Sequence, residues 1–293
     1  MQITWLPDVE RRPRHVAVGE FDGVHLGHRE VMRGADTVLT FEPHPLAVIR
    51  PEAAPKLLTT LHRKAELLDG LGVGELVVIE FDRAFAQRSA QEFIDHVLVG
   101  ALGATHVSVG ENFRFGHKAQ GDPELLARQQ AFDTRVTPLV EVDQEIVSST
   151  LIRHLIQLGD VERAGRLLGD PFQLRGTVVS GDRRGRTLGF PTANLVPVDG
   201  YVVPGHGVYA CRARTADGAV HVAATNVGVR PMFVTGRGEL IEAFLVDFDG
   251  DIYGTPLRVE FLKRLRGEKR FESIEALVEQ MRRDVEDARA IAA

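Results

Sequence analysis

The stretch Gly19–His28, GEFDGVHLGH, sets two histidines three residues apart in a run that also carries three glycines and two acids. On a helix, residues at i and i+3 share a face, so His25 and His28 can address one ligand. The apolar run HVAVG before them reads as a buried strand, which puts the pair at the mouth of a strand-to-helix turn. Free N–H groups and the positive dipole end of a helix opening there suit phosphate. Imidazoles can donate to phosphate oxygens, and Gly19 and Gly23 let the backbone approach a ligand closely. Metal-binding pairs on helices more often stand at i and i+4, and no third ligand is apparent in the sequence. Phosphate is therefore the expected ligand. A second such element is SSTLIR, residues 148–153. The hydroxyls of Ser148, Ser149 and Thr150 can cap the helix that follows and also contact phosphate, with Arg153 one turn in.

Another chemistry-bearing run is GDRRGRTLGFPTANL, residues 181–195. Its glycines and basic residues, Gly181 and Arg186 among them, could form a flap over phosphates or merely a solvated basic hairpin. The FPTAN end favours the first reading. Thr192 and Asn194 alternate on one strand face, and hydroxyl and amide oxygens suit Mg²⁺. Glu242 sits in the strongly apolar run LIEAFLVDF, where a carboxylate needs a reason. Beside a phosphate site it would serve as general base for an alcohol, and periodicity alone would also allow an outward-facing, solvated Glu. The single cysteine, Cys211, lies in the alternating run GVYACRAR and reads as a small buried residue.

These residues need a scaffold, and the chain of 293 residues is long enough for two domains. Its composition, 44% hydrophobic and 26% charged, is that of a soluble globular protein. The net charge of −6 lies in the first part, and the remainder is near neutral. Neither part has the basic excess of a nucleic-acid binder. One cysteine excludes an internal disulfide. No secretory signal and no membrane-spanning run is apparent, so a cytoplasmic location and no membrane partner are expected. Oligomeric state is left open.

Up to a boundary at GDPF (169–172), apolar strand-like runs at 15–19, 37–41, 75–81, 105–110 and 135–142 alternate with helical patterns at 59–72, 89–103 and 122–132. Ser89 and Glu92 have capping-box spacing. Continuously apolar strands alternating with helices predict a parallel sheet covered on both faces. Two more helical segments, STLIRHLIQLG and VERAGRLLG, precede the boundary. Beyond it, strands follow one another without helices, which predicts an antiparallel sheet or small barrel. A final helix, capped by Ser273, carries Ile274, Leu277, Val278, Met281 and Val285 as a stripe expected to pack on that sheet.

The His-x-Gly-His core with SSTLIR resembles the HxGH nucleotidyltransferase superfamily. TFEPHP (40–45), GENFRFGHKAQGD (110–122) and VSSTLIR, followed by GRTLGFPTAN, GVYA, ATNVGVRPMF and IEAFLVDFDGDIYG, resemble the prokaryotic bifunctional riboflavin kinase/FMN adenylyltransferases over nearly the whole chain. The resemblance implies an α/β chain: a Rossmann-like HxGH domain over 1–171 and a six-stranded antiparallel barrel with a closing helix over 172–293. It implies riboflavin, FMN and ATP as substrates, with Mg²⁺. In the first domain it implies that Gly19, Phe21, Asp22, Gly23, His25, His28, Ser149, Thr150 and Arg153 serve ATP. Asn112, Phe113, Arg114 and Phe115 would lie on the flavin side, although a core role for the aromatics fits equally. In the second domain it assigns Thr192 and Asn194 to Mg²⁺–ATP, with Gly181 and Arg186 nearby. Glu242 would activate the riboflavin 5′-hydroxyl, and Asn226 and Arg230 would lie near the substrates. One departure is the segment between His28 and TFEPHP. It is shorter than the family's usual one and leaves room for a first helix of about two turns. A transferase for a different phosphate would leave residues 173–293 unexplained. A flavin-sensing derivative would be expected to lack His28 or Glu242, and both are present.

Overall fold

The computed structural model describes residues 1–180, 189–229 and 239–292. The chain divides into two compact units, Met1–Ser149 and Thr150–Ala293.

The first unit is built on a six-stranded sheet in the order β1-β4-β3-β2-β5-β6, with every pairing parallel. The strands are β1 (Gln2–Trp5), β2 (Arg14–Val18), β3 (Thr37–Glu42), β4 (Glu75–Glu80), β5 (Ala104–Gly110) and β6 (Asp133–Thr137). Their apolar runs are buried on both faces: Val16, Ala17, Val38, Leu39, Val77, Val78, Val107 and Val109 are inaccessible to solvent. The edge strand β1 buries only Thr4 of its four residues, too little pattern to be read from sequence. Helix α1 (Leu26–Met32) has the two turns that the short segment before Thr40 requires, and β2 and β3 still pair from Val16↔Thr37 to Val18↔Leu39.

Helices α2 (Pro45–Ile49) and α3 (Leu61–Gly70) follow, the latter capped by Thr60. Helix α4 (Ala90–Glu92) begins with the expected Ser89–Glu92 capping box and continues as a π-helix, Phe93–Ala101. Two expectations are corrected. The 122–132 pattern gives only a short α5 (Pro123–Ala127), because Phe132 turns into the core as the chain enters β6. The 135–142 run is not one strand. Pro138 has no N–H to continue a ladder, so β6 ends at Thr137 and a small hairpin of β7 (Glu141–Val142) and β8 (Glu145–Ile146) follows.

The second unit is a closed antiparallel barrel in the order β10-β13-β12-β11-β14-β9. Its strands are β9 (Phe172–Val179), β10 (Ala193–Pro197), β11 (Gly207–Arg214), β12 (Val220–Val229), β13 (Glu239–Leu245) and β14 (Pro256–Arg266). Ahead of them come α6 (Ser149–Leu158) and α7 (Val161–Leu168). Helix α7 buries Val161, Ala164, Leu167 and Leu168 and packs on β9 and β14. Packing thus places the helix pair with the barrel, and the compact division falls ahead of the Gly169–Phe172 punctuation.

The closing helix α8 (Ile274–Ala292) lies on β11 and β12, with Ser273 Oγ accepting from Ala276 N. Its stripe is corrected in part. Leu277, Val278, Met281 and Val285 are half-buried, but Ile274 is 62% exposed, and the deepest positions are Asp284, Ala288 and Ala292. The face is turned because Asp284 holds the Arg266 guanidinium of β14 in a two-pronged pair at 3.0 and 2.8 Å. Among the described residues, no helix is long and apolar enough to cross a membrane.

Candidate active sites

Strand order in the first sheet reverses between β2 and β5, and ligands of open parallel sheets bind beyond the carboxyl ends of the strands at such a point. The loop after β2 is Gly19–His25, and the loop after β5 holds Asn112–Phe115. The two expected residue groups therefore flank one crevice.

The histidine loop is tightly built. His25 caps α1: its Nδ1 accepts from His28 N at 3.2 Å. The two imidazoles stack, with centroids 3.5 Å apart and planes 18° apart, and the buried Phe21 ring meets His28 edge-on at 5.3 Å. Gly27 gives the stack room, since a Cβ there would press on the His25 ring at 3.2 Å. Before the helix the backbone is strained. Phe21 and Val24 have φ of +49° and +46°, beside Gly23 at +90°, and such conformations cost about 1–3 kcal/mol each in non-glycine residues.

Surrounding groups hold that strain. The buried Asp22 carboxylate accepts from Leu58 N at 2.9 Å and from Thr59 N at 3.0 Å. Gly23 N donates to Thr59 Oγ1, and Ser149 Oγ donates to the Asp22 carbonyl at 2.9 Å. Asp22 and Ser149 thus meet each other, as the two motifs require. Thr150 and Arg153 lie in the first two turns of α6, in the second unit.

Sequence reading missed Lys64 and Thr40. Lys64 of α3 is buried, and its Nζ donates to the Glu20 carbonyl at 2.6 Å and to Thr40 Oγ1 at 3.0 Å. The signal was present: Lys64 falls on the apolar stripe Leu61–Ala65–Leu68, where a charge is out of place. Burial pushes the Glu20 carboxyl up to about 8, against the lowering effect of Lys64. Burial likewise raises Glu42 and lowers Lys64.

On the flavin side, Asn112 and Arg114 are exposed beyond β5. Phe113 is half-buried and stacks on Phe115 at 5.5 Å, while Phe115 is a core residue against Phe93.

In the barrel, register does the positioning. Ala193, Leu195, Ile241, Ala243, Thr225 and Val227 are buried, and of the residues that alternate with them Asn194 is also buried at 5% exposure while Glu242 and Asn226 are half-buried. Asn194 pairs with Glu242, and Glu242 with Asn226. Residues directly opposite one another have Cβ atoms about 4.5–5.5 Å apart, so these three form one row across β10, β13 and β12 on the outer face. Thr192 stands two residues before Asn194, just ahead of the strand. Phe244, two residues beyond Glu242, meets Phe190 edge-on at 5.2 Å. The outward Glu242 is therefore half-buried among amides rather than solvated. Gly181, Arg186 and Arg230 lie outside the described residues. Among the described residues, no cluster of three His, Cys, Asp or Glu could hold a metal; the oxygens of Thr192 and Asn194 are donors of another kind. Cys211 is a buried barrel residue whose thiol burial pushes up to about 12, as expected of a core position.

Two family models match the chain in succession, FAD synthetase over residues 8–151 and riboflavin kinase over residues 168–292. The chain is 39% identical to the bifunctional riboflavin kinase/FMN adenylyltransferase of Bacillus subtilis, covering 93% of this chain and 90% of that one. It is 37% identical to the protein of the same name from Escherichia coli K12, over 94% and 91%. A solved structure from Streptococcus pneumoniae, described as a macrolide-efflux protein, is 33% identical with a TM-score of 0.88 over 98% of both chains. With two stacked histidines at the mouth of a parallel sheet, an amide–carboxylate row on a six-stranded barrel, and both family models in order, this chain belongs to the bifunctional riboflavin kinase/FMN adenylyltransferases.

Proposed function

We propose that the chain phosphorylates riboflavin to FMN on the barrel and adenylylates FMN to FAD on the parallel-sheet domain, using ATP in both steps. We assign the first activity to residues 172–293 and the second to residues 1–171. The observation that carries the reading is the coexistence, in one chain, of the histidine stack beyond β2 and the Asn194–Glu242–Asn226 row.

In adenylyl transfer, an FMN phosphate oxygen attacks the α-phosphorus of ATP and pyrophosphate leaves. No covalent enzyme intermediate is needed, so catalysis is positioning and neutralisation of developing charge. His25 and His28 would donate to the triphosphate, with Ser149, Thr150 and Arg153 at its β/γ end. Gly19 and Gly23 would bring backbone to the nucleotide, while Phe21 and Asp22 shape the loop. Asn112, Phe113 and Arg114 would face the flavin, Phe113 having the ring surface that Phe115 lacks.

In the kinase step, Glu242 would take the proton of the riboflavin 5′-hydroxyl as that oxygen attacks the γ-phosphorus and ADP leaves. Asn226 and Arg230 would position riboflavin, and Gly181 and Arg186 the nucleotide. The neutral oxygens of Thr192 and Asn194, beside the Glu242 carboxylate, fit Mg²⁺. When bound with ATP, that ion neutralises charge on the phosphate oxygens. The cytoplasm, which supplies ATP, is the proposed compartment. Macrolide efflux, the activity for which the Streptococcus protein is named, gains no support from either site.

The test is incubation of the chain with riboflavin, ATP and Mg²⁺, followed by chromatography. FMN should appear first and FAD after it, with pyrophosphate released in the second step. Absence of both products would refute the reading.

A further inference from the structure

We infer that Lys64 is a positioning residue for adenylyl transfer: it fixes the Glu20 carbonyl and, through Phe21, the ring of His28. The inference rests on the adenylyltransferase reading of the first unit.

The path is short and each link is a contact. The Glu20 carbonyl accepts from Lys64 Nζ at 2.6 Å and from Thr40 Oγ1 at 3.1 Å. Lys64 also donates to Thr40 Oγ1 at 3.0 Å, so α3 and β3 converge on one peptide group. That group is the link between Glu20 and Phe21. Fixing its plane supports the left-handed φ of +49° that Phe21 must keep, a conformation the residue would otherwise leave. In that conformation the Phe21 ring is buried and meets His28 edge-on, while His25 stacks on His28. Gly19 packs under the Phe21 ring, where a Cβ would lie 3.0 Å from it, so the absence of a side chain at Gly19 makes room for the ring in this position.

A buried ammonium needs a reason, because desolvation disfavours its charge. Here the charge is favoured by the Asp22 carboxylate on the loop and by Glu42 on β3. A plain structural pin could be apolar. A charged, doubly donating one holds a carbonyl in a defined direction, which is what a strained loop carrying reacting groups needs.

Lys64→Met in the full chain separates positioning from stability. With FMN supplied, kcat for FAD formation should fall about 10²-fold, the scale of a misplacement of about 1 Å. KM for FMN should stay within about threefold, since the proposed flavin contacts lie on the separate loop after β5. The chain's own riboflavin kinase rate should not change, which controls for folding and concentration. The ring proton signals of His28 in an NMR spectrum, set by the Phe21 and His25 rings, should move toward random-coil values. Should Lys64→Met unfold the first unit, Thr40→Val removes only one donor to the same carbonyl. It should lower kcat about three- to tenfold, one hydrogen bond's worth, with the same His28 shift. Wild-type kcat with unmoved His28 signals in either variant overturns the inference. A wild-type chain that makes no FAD overturns the adenylyltransferase reading instead.

Discussion

The two sites are held in place by opposite means. The histidine site is made by loops that leave the sheet, and its geometry depends on side chains packed beneath those loops. Asp22, Thr59, Lys64 and Thr40 hold a backbone whose Phe21 and Val24 sit in the left-handed region. In the barrel site, among the described residues, strand register does this work. Asn194, Glu242 and Asn226 line up because three antiparallel strands are in register. A loop site can therefore be damaged from beneath, by changes several residues from the chemistry. A register site is sensitive to the reacting side chain itself and to slippage, which would turn the whole row to the other face.

The largest effect expected from this contrast is at Glu242. Glu242→Gln keeps the shape and removes the proton acceptor, and general-base help is worth about 10²–10⁴ in rate. FMN formation should collapse by that factor in single-turnover experiments, with riboflavin affinity retained and adenylylation of supplied FMN intact. Normal turnover would remove Glu242 as the base, and lost riboflavin binding would make its role structural.

A second, smaller effect sharpens the boundary between the regions. Helix α7 buries Val161, Ala164, Leu167 and Leu168 and packs on β9 and β14. A fragment of residues 150–293 should therefore outlast one of residues 172–293. Each fully buried large aliphatic side chain is worth about 1.5–3 kcal/mol. The longer fragment should melt roughly 10 °C or more above the shorter one. Equal melting temperatures would place the helix pair outside the barrel's stability.

The smallest effect is a pH slope in the first unit. Glu20 is buried against Lys64, Asp22 and Glu42, and its carboxyl is pushed up to about 8. Its folded value lies above the unfolded one of about 4.3. The stability it contributes is thus full below the unfolded value and is lost as pH rises through about 8. The melting temperature of the wild-type first unit should fall as pH rises from about 5 to about 8 and level off above that, and Glu20→Gln should flatten that fall. Parallel slopes would show that Glu20 does not titrate there.

Much of this was legible in the sequence because it is local. The His25–His28 spacing, the Ser89–Glu92 capping box and the two-turn length of α1 follow from a few adjacent residues. Continuous apolar runs specify a parallel sheet, and successive strands specify the barrel. What escaped depends on contacts distant in the chain. Lys64 meets Glu20 across 44 positions, and only the folded unit shows that it reaches a backbone carbonyl. Stacking of the histidines was also hidden, since spacing gives a shared face but not the ring orientations that the fold imposes. The register that joins Asn194 to Glu242 is set by barrel closure and cannot be counted from either strand. Edge strand β1 and the break at Pro138 mark the lower limit of pattern reading, where four or five residues carry too little alternation.

The most direct test of the central claim, two independent sites in one chain, is the His28→Ala variant given riboflavin as its only flavin, with ATP and Mg²⁺. Loss of one transition-state donor costs about 10²–10³ in rate. The account predicts that FMN accumulates at the wild-type rate while FAD formation falls by that factor. FAD formation at the wild-type rate, or FMN lost together with FAD, would contradict it.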